Sequence, residues 1–594
     1  MIDLESLLRV PHVDPEIGFD ISPDGAKVAF AWNLSGQWEV YEVNLDGSES
    51  PTRVSRGPGN KFGPRYTPDG RHLAYTLDFD GSENFHILVC DLVTGKNTDL
   101  TPDVKYAQHP YLAWSPDGQQ IAFVSNETGS FCAQVMNADG SDRHLVLDTG
   151  MPVWSVHWSP DSQRLAVLGE TQGQDFGVFI VPVQGSEAYQ ITHRGVPLNA
   201  HNPAWSPDGR RLAFNSDIYG YHQVGFYEIG SGQVSWVTSG EGEKTQPVWS
   251  PDGRRLAYVH NQGVDSWLSV CEIDGTPRTY QVEPGVHYLP KFTPDGQYLV
   301  FLFDNPRHPT DLWSLSLENG SFQPLTDSLP AELTSSPFVM PEEIRYPSMD
   351  GVPVPAMLFH PTGADASSPA VVIVHGGPSW LFSMLWYPIM AHMASRGWVV
   401  LAPNYRGSTG YGREWQLANR FDMGGVDTRD VAAGALYLAQ KGLADPNRIA
   451  VTGRSHGGYL TMTCMTQYPE LWAGGSAVVP FLNWFTSHAN SRQDLQHWDR
   501  ENMGDPHENY DLWYERSPFF FLDRIQAPVQ LICGANDPRC PVSESIQARD
   551  KLRELGKQVD FVLYPDEGHA FLKVENVVAS EVRRVEFLAQ ILER

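Results

Sequence analysis

Cysteine is scarce in this chain of 594 residues, and its scarcity narrows the possible chemistry. The six cysteines are scattered, none forms a C-x-x-C pair, and no histidine pair lies near them at the spacing of a metal site. This pattern argues against a disulfide framework and predicts reduced, mostly buried thiols. We therefore expect neither a metal ion nor another cofactor.

Positive charge is also in short supply. The chain has 42 lysines and arginines against 71 aspartates and glutamates, which gives a formal net charge of −29 at pH 7. Because nucleic acids and anionic membranes bind to positive surfaces, this balance argues against both as partners. An acidic surface favours cationic ligands, such as peptides with a free amine, but solubility is the simpler explanation.

Long apolar runs are missing too. No stretch approaches the roughly 18 apolar residues of a membrane-spanning helix. Asp3 and Glu5 occupy the region where a secretory signal would need a basic start and an apolar run. The sequence therefore predicts a cytoplasmic protein, and it leaves open whether the chain forms a homo-oligomer.

The first half of the chain contains a repeat. A phrase such as AWSPDGRRLAF occurs seven times, at intervals of 43 to 48 residues. In this phrase proline presets φ, aspartate bonds to its own backbone, and glycine takes the positive-φ position of a turn between two strands. The repeated prolines are Pro23, Pro68, Pro116, Pro160, Pro207, Pro251 and Pro294.

A hairpin that recurs every 40–50 residues is typical of a four-stranded propeller blade. Seven phrases therefore predict an all-β, seven-bladed β-propeller over residues 1–335, with a short extension before the first blade. The first and last blades lack an outer neighbour in sequence, so the pattern does not indicate how the ring closes.

From residue 336 to residue 594 the pattern changes. Short apolar runs, as in PAVVIVHGGP, GWVVLAPNYRG, RIAVTGRSHGG and PVQLICGANDPR, alternate with helix-like segments. Buried strands that alternate with helices predict a doubly wound, mostly parallel sheet. Ligands of such sheets bind beyond the carboxyl ends of the strands.

Four motifs follow these strands. RIAVTGRSHGGYL reads as strand, sharp turn and helix, and Ser455 lies between two glycines on a strained turn that would raise its Oγ above the sheet. HGGP, beginning at His375, follows an earlier strand and leaves backbone N–H groups able to face an oxyanion. Asp537 in GANDPR and His569 in DEGHAF come just after two later apolar runs.

The chain order Ser455, Asp537, His569 is the order of an α/β-hydrolase triad. In such a triad the histidine takes the proton of the serine and returns it to the leaving group, while the aspartate orients the imidazole. Asp566 and Glu567 are alternative acids, but both precede His569 too closely to approach it from a separate strand end.

Other residues near these motifs have two interpretations each. His375 is either a second candidate base or a support for its loop, and Arg406 either contacts substrate or forms a structural ion pair. Asp427 and Asp430, near the start of a helix, would cap it or pair locally. Three aromatic residues in VVPFLNWF either line a specificity pocket or fill the core: Phe481, Trp484 and Phe485.

A propeller followed by HGGP, NYRGSTGYG, G-x-S-x-G-G-Y, N-D-x-R-x-P and D-E-G-H resembles the prolyl oligopeptidase family of serine peptidases. The resemblance spans essentially the whole chain and is strongest to the acylaminoacyl-peptidases. It implies Ser455, Asp537 and His569 as the triad. It also implies a propeller that caps the active site and admits only short peptides.

The resemblance further implies an oxyanion hole formed by the backbone N–H groups of Gly377 and His456. Arg539, in NDPRCP, matches a family position that orders the site or the substrate. The residue after the serine is often tyrosine in this group, so the histidine at 456 is a departure whose side chain lies close to the chemistry.

The leading prediction is a serine peptidase that cleaves short peptides, including N-acylated ones, through an acyl-enzyme. The paired glutamates with which dipeptidyl peptidases hold a free amino terminus are not recognisable in the propeller half, which weakens a dipeptidyl-peptidase function without excluding it. The sequence is also compatible with a prolyl oligopeptidase, with a small-molecule esterase or amidase that uses the same triad, and with an inactive binding scaffold.

Overall fold

A computed structural model describes residues 1–102, 108–184 and 187–594. The chain forms two compact units. One contains Pro11–Phe79 and Glu83–Leu329, and the other contains Met1–Val10, Asp80–Ser82 and Pro330–Arg594. Within the described ranges, no helix has both the length and the apolar character needed to cross a membrane.

The first unit is the predicted seven-bladed propeller. Its described residues form seven four-stranded antiparallel sheets, each built from strands that are consecutive in sequence, and one additional two-stranded hairpin. The first three blades are β1 to β12: Phe19–Ile21, Lys27–Trp32, Glu39–Asn44 and Thr52–Arg53; Asn60–Tyr66, His72–Asp78, His86–Asp91 and Asn97–Asp99; Gln108–Trp114, Gln120–Ser125, Cys132–Asn137 and His144–Leu147.

The fourth blade and the hairpin come next, as β13 to β18: Val153–Trp158, Arg164–Glu170, Phe176–Pro182 and Tyr189–Gln190; Thr192–His193 and Val196–Pro197. The last three blades are β19 to β30: His201–Trp205, Arg211–Ser216, Gln223–Glu228 and Val234–Trp236; Glu243–Trp249, Arg255–Gln262, Asp265–Glu272 and Arg278–Tyr280; Val286–Phe292, Tyr298–Asn305, His308–Ser316 and Phe322–Pro324.

The repeated phrase forms the turn between the first two strands of each blade. In the third blade the Ser115 hydroxyl donates to Asp117 at 2.6 Å, and the N–H of Gln120 donates back to the Ser115 Oγ at 2.9 Å. Gly118 takes φ 72°, and Ser162 takes φ 58° at the same position of the fourth blade. The same hydroxyl–carboxylate bond closes all seven turns.

The tryptophans of the phrase link neighbouring blades. The indole N–H of Trp158 donates to the carbonyl of Ala113 in the preceding blade at 3.0 Å, and Trp205 and Trp249 repeat this bond one and two blades later. A buried indole needs an acceptor, and the neighbouring strand supplies one. The repeat therefore specifies blade stacking as well as the hairpin.

The ring closes through side-chain packing between the last and first blades. Phe30 and Tyr41 share one hydrophobic cluster with Leu302 and Leu312. The indole N–H of Trp32 also donates to the Ser328 hydroxyl at 3.0 Å. Each blade consists of consecutive strands, so no strand of the described residues is exchanged between blades to close the ring.

The second unit has the predicted α/β-hydrolase fold. Its eight-stranded sheet has the order β31-β32-β34-β33-β35-β36-β37-β38, antiparallel at β31 and β32 and parallel elsewhere. The strands β31 to β38 are Glu342–Pro347, Pro353–Phe359, Ala370–Val374, Val399–Pro403, Ile449–Arg454, Gly474–Val478, Val529–Gly534 and Val559–Tyr564.

Helices lie between these strands and complete a continuous hydrophobic core. The helices α1 to α10 are Leu4–Leu8, Pro388–Ser395, Arg413–Leu417, Val426–Gln440, His456–Gln467, Trp484–Asn490, Gln493–Met503, Tyr510–Glu515, Val542–Glu554 and Val574–Leu592. Three 3-10 segments are Ala331–Leu333, Pro469–Leu471 and Pro518–Arg524.

The amino-terminal extension packs within this hydrolase unit. The N–H of Ile2 donates to the Ser395 hydroxyl at 2.8 Å, and Arg9 forms a two-pronged ion pair with Glu575. All six cysteines are buried and free.

Candidate active site

The turn between β35 and α5 holds Ser455 in the predicted strained conformation, with φ 59° and ψ −122°. A Cβ atom at Gly453 would lie 2.4 Å from the carbonyl oxygen of Gly457, and one at Gly457 would lie 2.1 Å from the carbonyl oxygen of Val374. Neither approach is sterically possible, so both glycines of G-x-S-x-G are required. The N–H of Ser455 donates to the carbonyl of Val478 on the neighbouring strand at 2.9 Å, which fixes the turn.

Three predicted residues meet at this turn. His569 Nε2 lies 3.0 Å from Ser455 Oγ, and His569 Nδ1 lies 2.9 Å from Asp537 Oδ2 and 3.0 Å from its Oδ1. Because an ionised carboxylate only accepts hydrogen bonds, we assign the imidazole proton to Nδ1. Nε2 then carries a lone pair towards the serine hydroxyl, which is the state of a general base.

Asp537 is held in place from its own loop. Its Oδ1 accepts hydrogen bonds from the N–H groups of Arg539 and Cys540, both at 2.9 Å. The two alternative acids are engaged elsewhere. Asp566 pairs with Lys573, and Glu567 accepts the N–H groups of Leu572 and Lys573. The geometry therefore favours Asp537 as the partner of the histidine.

The HGGP loop follows β33 and lies beside the serine. A Cβ atom at Gly376 would be 3.3 Å from Ser455 Cβ. Among the described residues, the N–H of Gly377 has no hydrogen-bond partner. His456 is the first residue of α5, so its N–H has no acceptor within the helix and lies at the positive end of the helix dipole. The two predicted oxyanion donors therefore belong to residues directly after Gly376 and directly after Ser455, and neither N–H has an acceptor among the described residues.

His375 supports its loop. Its Nδ1 lies 2.7 Å from the carbonyl oxygen of Gly376, its Nε2 lies 2.8 Å from Ser408 Oγ, and its exposed fraction is 3%. Burial lowers the pKa of His375 to about 3, so the ring is neutral near pH 7. Its hydrogen bonds involve neither the serine nor His569, which favours the supporting interpretation over that of a second base.

Arg406, which follows β34, and two aspartates of α4 are also structural. Arg406 pairs with Asp430 at 2.6 Å and with Asp350 at 2.7 Å. Asp427 accepts the N–H groups of Gly424 and Thr428, both at 2.8 Å, and lies 3.4 Å from His456 Nε2. Arg406 therefore forms the structural ion pair, and Asp427 additionally contacts the residue after the serine.

The structure adds Arg454, which the motifs did not single out. Its guanidinium donates to the carbonyl of His569 at 2.5 Å and lies over the ring of Phe571, 5.1 Å from the centroid. Burial lowers the pKa of Arg454. Its position inside G-x-S-x-G was the available signal, but the sequence does not show that its side chain reaches another loop.

The aromatic candidates separate into core and periphery. Trp484 is 1% exposed, and its indole N–H donates to Tyr459 OH at 3.1 Å, which favours a place in the core. Phe481 stacks on Tyr459 with ring centroids 4.5 Å apart and is also buried. Phe485 is half-buried, and Arg539 is exposed. The substrate-binding roles of these residues stay predictions.

Models of known protein families match both halves of the chain. Residues 386–594 match the model of the prolyl oligopeptidase family. Residues 17–151 and 110–328 match the model of the TolB beta propeller domain.

Similar proteins include several peptidases. The chain is 26% identical to dipeptidyl aminopeptidase BIII of Pseudoxanthomonas mexicana, over 96% of this chain and 86% of that one. It is 30% identical to the acylamino-acid-releasing enzyme of Rattus norvegicus, over 39% of this chain and 33% of that one. A solved puromycin-hydrolyzing peptidase of Mycobacterium tuberculosis superimposes with a TM-score of 0.87 at 22% identity, covering 100% of this chain and 96% of the other. The catalytic part of the chain, residues 386–594, belongs to the prolyl oligopeptidase family of serine peptidases, and it follows a TolB beta propeller domain.

Proposed function

We propose that this peptidase hydrolyses short peptides through an acyl-enzyme formed on Ser455. The observation that carries the proposal is the unbroken hydrogen-bond chain from Asp537 through His569 to the Ser455 hydroxyl. That geometry suits a serine nucleophile with a histidine base and an orienting carboxylate. It also argues against an inactive binding scaffold, which has no need of this alignment.

In the acylation half-reaction, Ser455 Oγ attacks the carbonyl carbon of the scissile bond while His569 Nε2 takes its proton. The carbonyl oxygen becomes an oxyanion that accepts hydrogen bonds from the N–H groups of Gly377 and His456. The tetrahedral intermediate then collapses, the C–N bond breaks, and the imidazolium gives its proton to the leaving amine. Asp537 stabilises the imidazolium without becoming protonated.

In the deacylation half-reaction, a water molecule replaces the amine. His569 Nε2 takes one proton of that water, whose oxygen attacks the acyl carbon, and the same oxyanion donors hold the second tetrahedral intermediate. Collapse breaks the ester bond, and the proton returns to Ser455 Oγ. The released product carries a carboxylate, and the enzyme recovers its starting state.

The group preceding the scissile bond is the open part of the proposal, and an acylated amino acid is the leading candidate. It is supported by the resemblance of the catalytic motifs and by a relative named for releasing acylamino acids. A dipeptide with a free amine is the second candidate, because the relative matching 96% of this chain is named a dipeptidyl aminopeptidase. The negative charge of the chain is compatible with a free amine.

A panel of p-nitroanilides with one leaving group and varied acyl parts separates these candidates. We expect acetyl-alanyl-p-nitroanilide to have a higher kcat/KM than alanyl- and glycyl-prolyl-p-nitroanilide. The reverse order would establish the free-amine candidate. Activated p-nitrophenyl esters are measured in parallel, because hydrolysis of esters without any anilide would indicate an esterase. The Ser455→Ala variant is the blank for every substrate.

A further inference from the structure

Three aromatic rings connect the two proposed oxyanion donors. His375, which opens the loop that carries Gly377, stacks on Tyr405 with ring centroids 4.3 Å apart and planes at 17°. Tyr405 stacks in turn towards His456, with centroids 6.2 Å apart and planes at 27°. Both separations fall near the range in which offset ring pairs attract. The ring stack His375–Tyr405–His456 thus runs from one donor loop to the other.

Hydrogen bonds fix the first end of the ring stack. His375 Nδ1 lies 2.7 Å from the carbonyl oxygen of Gly376, and its Nε2 lies 2.8 Å from Ser408 Oγ. The Ser408 hydroxyl donates to the carbonyl of Tyr405 at 2.7 Å. The Tyr405 hydroxyl donates to the backbone carbonyl of His375 at 2.9 Å. Tyr405 is fully buried, and this hydrogen bond fixes the backbone at the start of the HGG segment.

A buried carboxylate fixes the other end. The Nε2 atom of His456 lies 3.4 Å from Asp427 Oδ2. Both residues are buried, with exposed fractions of 2% for His456 and 0% for Asp427. Asn419 Nδ2 also donates to this oxygen, at 3.2 Å. His456 Nδ1 is buried and has no partner among the described residues. Among the described residues, the only polar contact of the imidazole is therefore the one between Nε2 and Asp427 of α4.

We infer that Tyr405 and the His456 imidazole are positioning residues that keep the two oxyanion donors at a fixed separation. The inference rests on the proposed function, since it concerns the donors assigned there. The ring stack joins donors from two different strand ends, and each end of the stack is bonded to the backbone or to a helix-borne carboxylate. A rigid spacer of this kind places the N–H groups where the oxyanion forms, before the reaction begins.

Tyr405→Phe tests the first end of the ring stack, because it keeps the ring and removes only the hydroxyl, which contacts the carbonyl and Nδ1 of His375. We expect kcat/KM for the best anilide to fall about 10- to 100-fold through kcat, because small misplacements of a catalytic group have costs of this size. Tyr411→Phe is the matched control. Its hydroxyl, in the same loop, bonds to Asn404 Nδ2 at 3.0 Å and touches neither donor. We expect it to keep wild-type kcat/KM within twofold.

The inhibition constant (Ki) of a peptide aldehyde distinguishes positioning of the oxyanion donors from a purely structural role of Tyr405. Ser455 Oγ adds to its carbonyl, and the resulting hemiacetal oxygen occupies the oxyanion hole. In Tyr405→Phe, the Ki of the aldehyde should rise by the same factor as KM/kcat. The Ki of the carboxylate product of the same sequence should not change. Equal weakening of aldehyde and product would overturn the inference in favour of a binding-pocket role.

The His456→Gln variant tests the other end and covers the case in which Tyr405→Phe does not fold. Glutamine keeps a donor for Asp427 but loses the ring, so the same selective loss of aldehyde affinity is expected. Unchanged kcat/KM in a folded variant at either end overturns the inference. Labelling of Ser455 by a fluorophosphonate is recorded throughout. Failure of the wild-type enzyme to label would instead count against the proposed function.

Discussion

The guanidinium of Arg454 donates a hydrogen bond to the backbone carbonyl of His569 at 2.5 Å, although the two residues lie 115 positions apart. The residue before the proposed nucleophile therefore holds the loop that carries the proposed base. The guanidinium also covers the ring of Phe571, which fixes it from a second side. The G-x-S-x-G turn and the histidine loop are joined by this side chain as well as by the triad itself.

Replacing Arg454 with lysine should lower kcat about 10- to 100-fold with KM within twofold, because misplacing the base affects the reaction more than binding. An ammonium group lacks the planar fork that reaches the carbonyl while covering the ring. Steady-state kinetics on the best anilide measure this. Arg583→Lys, in a surface pair with Asp560, is the control and should leave kcat unchanged. Equal losses in both variants would contradict the assignment.

The choice between candidate acids can be tested directly. Asp537→Asn should lower kcat about 10³- to 10⁴-fold, because the amide favours the wrong imidazole tautomer and does not stabilise the imidazolium. Asp566→Asn should keep kcat within twofold, since that carboxylate is exposed and pairs with Lys573. A large loss in Asp566→Asn together with an active Asp537→Asn would reverse the assignment of the acid.

Ionisation of the buried Asp14 should lower the free energy of unfolding of the propeller as pH rises. Burial raises the pKa of Asp14 to about 7 from 3.8, with a smaller contribution from Glu16. The folded state then holds its proton to a higher pH than the unfolded chain, so the free energy of unfolding falls as pH rises between these values. The Tm of the wild type should drop more between pH 5 and pH 8 than the Tm of Asp14→Asn. The exposed Asp274→Asn serves as control and should retain the wild-type slope, whereas equal slopes in all three proteins would refute the effect.

The blade turns should tolerate glycine and resist side chains. Gly118 has φ 72°, and Ser162 has φ 58° in the equivalent turn. Gly118→Ser should destabilise the folded state by about 1 kcal/mol, because a side chain is strained in this conformation. The corresponding shift in Tm is about −2 °C. Ser162→Gly should not lower Tm, and thermal melts that rank the two variants in the opposite order would contradict this account of the repeat.

Much of the fold was readable because its determinants are local. The Ser-Pro-Asp-Gly turn is set by bonds within six residues, as from Ser115 to Asp117 and Gln120, so a sequence pattern contains all of its partners. Closure of the ring depends on partners such as Trp32 and Ser328, which are 296 positions apart. No periodicity encodes that pairing. The bonds of Ile2 and Arg9 within the hydrolase unit are equally remote in sequence.

The candidate active site likewise contains residues that the sequence predicts and residues that it does not. Ser455, Asp537 and His569 were found because each follows a recognisable strand, and strand ends meet at one edge of a parallel sheet. The residues that surround the triad follow no such sequence pattern. Asp427 reaches His456 only because α4 and α5 pack against each other, and burial of Trp484 follows from the packing of several helices.

The central claim is that Ser455 is the nucleophile, and adduct mapping tests it most directly. The full-length enzyme is treated with diisopropyl fluorophosphate, peptide hydrolysis is followed, and tryptic peptides are mapped by mass spectrometry. We predict one adduct, on Ser455, that forms in proportion to the loss of activity and is absent from an inactive, folded Ser455→Ala variant. Peptide hydrolysis that persists in Ser455→Ala, or an inactivating adduct on another residue, would contradict the claim.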